Sequence, residues 1–503
     1  MTQNTKPISN CDYVSIALDI VDYEKFEPSG FKHALQLLST RKLSTLTYCL
    51  VFGTFGLCVG CLGPTVWELT CIIHTDQSKS TLMFFAQTGL MLVGTMVTGV
   101  TLAKISTDVV LLVGVVIQAL MLAVVPAAQN LTSLSFILGV MGFFMGAVDS
   151  TGNVAMVRLY HEDVSAFMQA MHFCYGLGAL ISPIITAPFL EDGICEDENS
   201  PGDQHKHVHS HPHNFLMLGH HVTIYKIHYA FWIMAAVQLP AIISVICLMI
   251  QNRKNQRVPL TGGQVDQLAA KKKDLVDSTD LDGSDVPCYT SFPGFCLFEY
   301  SWKSCMALSF GACLLFVSDG VQSAFAAYVF SYGKLLINTL TDANAAHIDA
   351  VFWCMFTFGR LAAVVLSIWV KPTWLILYDL VSCFIVITIL SCVTATKLLL
   401  VICTGLIGFF VSSVSPAVIT LMEQEVGLTA SATSCMVFVA ALGEMLFPIA
   451  VGNLLSTYGA IGFTACIFIT ALVGLLFYGT LCVLKCVLSI RRRPAEYADL
   501  DED

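Results

Sequence analysis

Apolar residues in this chain fall into long blocks of roughly 20 residues separated by short polar stretches, about the length a helix needs to cross 30 Å of hydrocarbon. Read in order, the blocks predict helices over 43–63, 81–103, 109–128, 131–157, 164–190 and 227–250, then over 304–333, 345–370, 373–394, 398–422, 429–455 and 460–488. The expected fold class is an all-α membrane protein of about twelve transmembrane helices, six and six. Polar stretches set the remaining boundaries: an N-terminal segment 1–42, a loop 191–226, a linker 251–303 with its Lys271–Lys273 run, and an acidic tail 489–503. The linker has the composition of a flexible connector. The opening residues are polar and acidic, so no cleavable signal peptide is expected.

Composition agrees with this pattern. The chain has 503 residues, of which 56% are hydrophobic and 12% charged, against about 25% charged in ordinary soluble domains. Its net charge of −11 comes largely from the acidic ends and loops, so no nucleic-acid partner is expected. The basic residues are unevenly shared between the two sides of the membrane. Lys32, Arg41, Lys42, Lys104, Arg158, Arg253, Lys254, Arg257, Lys271–Lys273, Lys371 and Arg491–Arg493 fall on one side, and Lys79, Lys206, Lys226, Lys334 and Lys397 on the other. The positive-inside rule then predicts that both termini are cytosolic, and a plasma-membrane location is expected.

The two groups of six also share sequence. GVMGFFMGAV begins at Gly139 in the fourth span, and GLIGFFVSSV begins at Gly405 in the tenth. LGALISP begins at Leu177 in the fifth span, and LGEMLFP begins at Leu442 in the eleventh. The offsets, 266 (405 − 139) and 265 (442 − 177), nearly coincide. They imply two related, pseudo-symmetric halves, 43–250 and 304–488. Duplicated halves around a midplane site are the architecture of secondary transporters, which alternate access by rocking one half on the other.

Ionisable groups inside the membrane are costly, and function is the default hypothesis for them. Asp149, Asp319, Arg360 and Glu444 stand out, and His172 joins them as a titratable group. Asp149 and Asn153 are four residues apart and share a helix face. Together they can accept and donate hydrogen bonds to hydroxyls, and the carboxylate can take a proton or a cation. A structural bond to another helix remains the alternative. Ser415 occupies the repeat position of Asp149, and Ala179 that of Glu444, so each half adds an acid its counterpart lacks. Gln169, His172 and Gly176 share a face of the fifth span, with Tyr175 beside them; Asp319, Gln322 and Ser323 form a polar face on the seventh. Substrate contacts are expected from Asp149, Asn153, Gln169, His172, Tyr175 and Gln322, with Gln87 and Trp353 on the cavity wall. Cation coupling is expected at Asp149, Glu444 and Asp319, and a gate or ion pair at Arg360. Gly53, Gly56, Gly60 and Gly63 make a small-residue stripe on the first span that suits close packing.

Other signals carry less. Most of the 20 cysteines lie inside spans as small apolar residues. Cys71 and Cys195 fall in outside loops of one half, and a disulfide between them is expected, since the oxidising side permits it. The stretch HKHVHSHPH from His205 reads as a solvated loop with zinc binding as its alternative. Asn130-Leu131-Thr132 is a sequon set close against the bilayer. No hydrolase nucleophile motif, phosphate loop or His-Glu metalloprotease motif appears, so enzyme activity, a resident metal and a cofactor are not expected; Na⁺ enters only as a coupling ion.

FGLCVGCLGPT in the first span, DSTGN in the fourth, MHFCYGLGALISP in the fifth, YAFWIMA in the sixth, SDGVQSAFAAYVFSY in the seventh and LGEMLFPIAVG in the eleventh resemble the major facilitator superfamily domain-containing protein 4 family. That family includes the sodium-dependent glucose transporters, whose glucose activity belongs to its 4B branch. YAFWIMA and the Asp319-Gly320 pair look closer to its 4A branch. The resemblance implies a major facilitator superfamily fold. More distantly, the chain is similar to fucose–proton symporters: Asp149 and Asn153 match their acid and Asn, His172 stands where they have Gln, and Gln322 matches a further Gln. This implies that Asp149 lines a sugar cavity and takes part in cation coupling. The sequence GVTLAKISTD departs from the superfamily's gate motif, lacking its acid after Ala103. The expected function is a secondary active transporter of a hexose-like sugar, acting as a monomer in the bilayer. The alternatives are a uniporter of another small polar solute such as urea, or a transporter-derived receptor or scaffold.

Overall fold

The computed structural model describes residues 29–73, 75, 80–190, 213–217, 220–256, 291–292, 295–296, 300–337, 342–392 and 396–488. The first five predicted spans are α1 (Ser29–Ile72), α2 (Ser80–Thr101), α3 (Thr107–Val124), α4 (Leu131–Tyr160) and α5 (Ser165–Thr186). α1 is longer than predicted and carries a non-helical residue at Arg41, where its polar lead-in meets the apolar run. α4 starts from a capping box in which Asn130 Oδ1 accepts from Ser133 N at 2.8 Å, so the sequon asparagine serves as a helix cap.

The sixth span is two helices, α6 (Lys226–Val237) and α7 (Leu239–Gln256), parted at Gln238. Pro240 accounts for the break, since its ring crowds the carbonyl four residues back. In the second half come α8 (Trp302–Leu336), α9 (Asp342–Leu366) and α10 (Pro372–Cys392). The tenth span is again split, into α11 (Lys397–Val411) and α12 (Val414–Val426). Here Pro416 supplies no N–H for Ser412 O, and that carbonyl is left free for other partners.

The last two spans form one assigned helix, α13 (Ala430–Leu488), which doubles back at Gly459 (φ 63°, ψ −149°). That conformation is in effect open to glycine alone. The reversal shows in the packing against α8: Gly443 and Gly452 approach Phe316 and Tyr328 in parallel order, whereas Phe463 and Phe477 meet Phe325 and Phe310 in antiparallel order. Among the described residues eleven helical segments are long and apolar enough to cross a membrane, the last spanning 56 residues. Counting the fold at Gly459, they make twelve crossings. Two short hairpins were not foreseen: β1 (His213–Met217) with β2 (His220–Ile224) in the long loop, and β3 (Ser291–Phe292) with β4 (Phe295–Cys296) in the linker.

The repeat is visible in the packing. A Cβ on Gly142 would lie 2.0 Å from Gln87 O, joining α4 to α2, and one on its repeat partner Gly408 would lie 2.7 Å from Phe352 O, joining α11 to α9. A Cβ on Gly178 would lie 1.9 Å from Gly53 O of α1, and one on its repeat partner Gly443 would lie 2.1 Å from Phe316 O of α8. The shared motifs therefore mark equivalent backbone-to-backbone seams. The glycine stripe of α1 packs against α5, with Gly56 facing Tyr175 O and Gly60 facing Ala179 O. Cys71 is disulfide-bonded; Cys195 and positions 205–212 of the histidine-rich stretch lie outside the described residues.

Candidate functional site

The acids meet where the halves meet. Asn153 Nδ2 donates to Asp149 Oδ1 at 3.0 Å and to Asp149 O at 2.9 Å, so the expected i, i+4 pair forms. Asn153 Oδ1 accepts from His172 Nε2 at 3.2 Å, which joins α4 to α5. An imidazole donating through Nε2 carries its proton there. The ring of Phe52 stands edge-on to His172, and Phe55 packs on Tyr175. Asp149, His172 and Tyr175 are only partly buried although they sit at the centre of the bundle, while Asn153 is fully buried.

From the other half, Ser415 Oγ donates to Asp319 Oδ1. The residue in the repeat position of Asp149 thus holds the acid of α8. Glu444 is partly buried, and its backbone carbonyl accepts from Ser323 Oγ at 3.0 Å. Asp149, Asp319, Glu444 and Arg360 lie within electrostatic range of one another. Three carboxylates against one guanidinium leave an excess of negative charge if all are ionised. An unbalanced intramembrane charge costs about 2.5–3.5 kcal/mol, so the centre has a physical demand for protons or a bound cation.

Arg360 spends its hydrogen bonds elsewhere. Nη1 donates to His172 O at 2.8 Å and Nε to Ser412 O at 3.2 Å, while the guanidinium stacks on Phe356 and Tyr175 with centroid distances of 4.3 Å and 5.0 Å. It therefore ties α9 and the break in the tenth span to α5 of the other half. Gln169 makes a parallel tie: it is buried, and its Nε2 donates to Ser413 O at 3.1 Å. Ser150 and Ser434 hydroxyls meet at 2.6 Å, Gln424 Nε2 donates to Glu162 O at 2.9 Å, and Thr357 Oγ1 stands 3.4 Å from Gly176 O. Most of these contacts fall toward the face from which α1 enters and to which α13 returns.

Of the expected contacts, Asp149, Asn153, His172 and Tyr175 form one connected wall. Gln322 is buried on α8 beside Asp319, and Trp353 is partly buried on the face of α9 that carries Arg360, packed edge-on to Phe352 and Phe356. Gln87 is buried between α2 and α4, with Nε2 donating to Met145 Sδ at 3.3 Å. Sequence reasoning passed over Asp379 of α10, which is buried and accepts from Ser413 Oγ. The rule that flagged the other acids applies equally to it. The break at Ser412–Ser413 was also missed, though Pro416 announces it.

Two six-helix halves closing over a charged centre define a class, the major facilitators, and the model of the Major Facilitator Superfamily matches residues 48–448. Major facilitator superfamily domain-containing protein 4A of Danio rerio is 31% identical, with 86% of each chain covered. The chain belongs to the major facilitator superfamily and, within it, to the domain-containing protein 4 family. Sodium-dependent glucose transporter 1 of Danio rerio is more distant, at 23% identity over 82% of this chain and 65% of that one. Among solved structures, FucP in its outward conformation superposes with a TM-score of 0.63 at 14% identity, covering 88% of this chain and 98% of its own. The proton:xylose symporter XylE gives 0.60 at 14% identity, covering 88% and 95%. Family and fold are those of transporters, and the protein is a multi-pass membrane protein.

Proposed function

We propose that the chain is a secondary active transporter of a hexose-like sugar, driven by a cation gradient with Na⁺ as the coupling ion, and working by alternating access. The observation that carries this reading is the connected wall Asp149–Asn153–His172 facing Asp319 and Glu444. It offers a donor and acceptor array for hydroxyls beside an uncompensated carboxylate that a cation can neutralise. Relatives named for sodium-dependent glucose transport and structural neighbours named for sugar–proton symport support the substrate class. With cytosolic termini, as the Lys and Arg distribution implies, the ties made by Arg360, Gln169, Ser150 and Gln424 shut the cytosolic side. The conformation is then the outward-facing one.

Uptake of labelled hexose into proteoliposomes, with and without a Na⁺ gradient, tests the proposal. Accumulation that collapses when Na⁺ is replaced by choline is the expected result. Binding without uptake overturns transport, and uptake indifferent to any imposed cation gradient overturns coupling.

A further inference from the structure

α1 is too long for the membrane it crosses. Its 44 residues run about 66 Å at 1.5 Å per residue, twice the ~30 Å of hydrocarbon. Its apolar run begins at Leu43, and just before that the backbone leaves helical geometry at Arg41 (φ −117°, ψ 22°). The lead-in ahead of this bend is held close to the bundle. Thr45 and Tyr160 hydroxyls meet, which sets the start of the span level with the end of α4. His33 lies about three turns upstream of Thr45, yet its Nε2 stands 3.4 Å from Oδ2 of Asp163, in the short turn just past Tyr160. The lead-in therefore leans over the turn that joins α4 to α5.

This lead-in has three faces. Ala34 and Leu37 pack on the core of the bundle, with His33 and its contact to Asp163 beside them. Phe31, Leu35 and Leu38, spaced four and three apart, form an adjoining apolar stripe that stays 37–55% exposed. Lys32, Gln36, Ser39 and Thr40, all exposed, make up the rest. An apolar stripe beside an already packed face is more than a helix standing in water needs. The charge of the segment is equally one-sided. Between Phe31 and Lys42 there are three bases, Lys32, Arg41 and Lys42, and no acid, in a chain whose net charge is −11. Arg41 stands over the ring of Tyr160 at 5.7 Å. Lys32 and Lys42 are exposed and make no ion pair among the described residues. Lys32 lies at the edge of the apolar stripe, where a lysine can lay its stem along apolar surface and keep its ammonium outside.

We propose that the lead-in of α1 is an interfacial helix lying on the bilayer, with Phe31, Leu35 and Leu38 set into the acyl boundary and Lys32 and Lys42 holding anionic phospholipid headgroups. A basic helix with one apolar face takes this position, and bases next to a span favour anionic lipid. Two observations single out lipid as the occupant. The stripe is continuous with a surface that acyl chains already cover, since just past the bend the span exposes Leu46. The acid-free run of bases is complementary to anionic headgroups. The orientation proposed above makes the leaflet the cytosolic one; the contact itself needs neither a sugar nor Na⁺. The helix so held is seated on the turn whose Glu162 O accepts from Gln424 of the other half.

The test uses the full chain in vesicles of phosphatidylcholine and phosphatidylserine in equal parts, the same in both leaflets, so that neither the orientation nor the transport reading decides the outcome. A photocrosslinking benzoylphenylalanine takes the place of Phe31, whose ring it extends, and adducts are identified by mass spectrometry. Phospholipid adducts are expected there, with phosphatidylserine captured in excess, and few are expected when the probe replaces Gln36 on the polar face. Lys32→Gln is expected to lower the phosphatidylserine preference about fivefold, the effect of one base at an anionic surface. Leu35→Ser together with Leu38→Ser is expected to abolish the lipid adducts while the unfolding temperature stays near that of the wild type. If the Phe31 protein fails to fold, the probe at exposed Leu38 stands in, with Leu35→Ser alone as its apolar variant. Crosslinks from position 31 to residues 1–28 or to a second copy of the chain overturn the proposal, as does equal lipid capture from positions 31 and 36. Equal capture of the two lipids, unchanged by Lys32→Gln, overturns the headgroup contact.

Discussion

The fourth and tenth spans descend from one pattern and end up doing opposite things. Both use a Gly-x-x-Gly-Phe-Phe run to press against a neighbouring backbone, Gly142 on Gln87 and Gly408 on Phe352. A few residues on they part. The first copy continues with Asp149-Ser150 and stays helical to Tyr160. At the same positions the second has Ser415-Pro416, and its helix is broken just before them. The unbroken copy presents a charge to the centre. The broken copy presents bare carbonyls that Arg360 and Gln169 use to hold the halves together. One duplicated scaffold has thus diverged at two adjacent residues, one half toward a charge at the centre and the other toward ties between the halves.

Several substitutions would break or sharpen that comparison. Asp149→Asn keeps the bond to Asn153 but removes the charge, and we expect gradient-driven accumulation of labelled sugar to vanish while the purified protein unfolds at nearly the wild-type temperature. Wild-type accumulation would make the residue structural. Ser150→Pro imposes the second half's break on the first and also removes the bond to Ser434. Its cost is about 3 kcal/mol or more, visible as a large drop in thermal unfolding temperature or loss of folded protein. Gly142→Ala and Gly408→Ala probe the shared seams, with about 1–3 kcal/mol lost to overpacking. The first should cost more, because its Cβ would meet backbone at 2.0 Å rather than 2.7 Å; equal losses would mean that the two seams yield alike. Ser434→Ala is the mildest. It removes one inter-half hydrogen bond, worth about 1 kcal/mol, and should raise amide exchange around residues 150 and 434 without lowering the unfolding temperature appreciably.

Much of this was legible in the sequence because it is local. Hydropathy placed all twelve crossings, including the two that share α13, and the spacing of Asp149 and Asn153 sufficed to put them on one face. The equivalence of the halves could be read because glycines that touch backbone leave little room for substitution. What escaped was of two kinds. Pro240 and Pro416 sit inside stretches whose average hydropathy stays high, and hydropathy does not register a missing N–H. Gln169, placed by sequence among the substrate contacts, bonds Ser413 O across the halves, and no periodicity within one span can foresee a partner 244 residues away. Asp379 belongs between these cases, conspicuous by its charge but meaningful only beside Ser413.

The turn at Gly459 has a mechanical consequence. Because the chain doubles back there, the two arms of α13 share a joint with no slack. Ser434, near the start of the first arm, bonds Ser150 across the halves, while Phe463 and Phe477 on the second clasp α8, which carries Asp319. A tilt of the first arm that parts Ser434 from Ser150 must drag the second arm with it. The joint makes that corner of the protein a lever, through which a parting of Ser434 from Ser150 is felt by the acid at the centre.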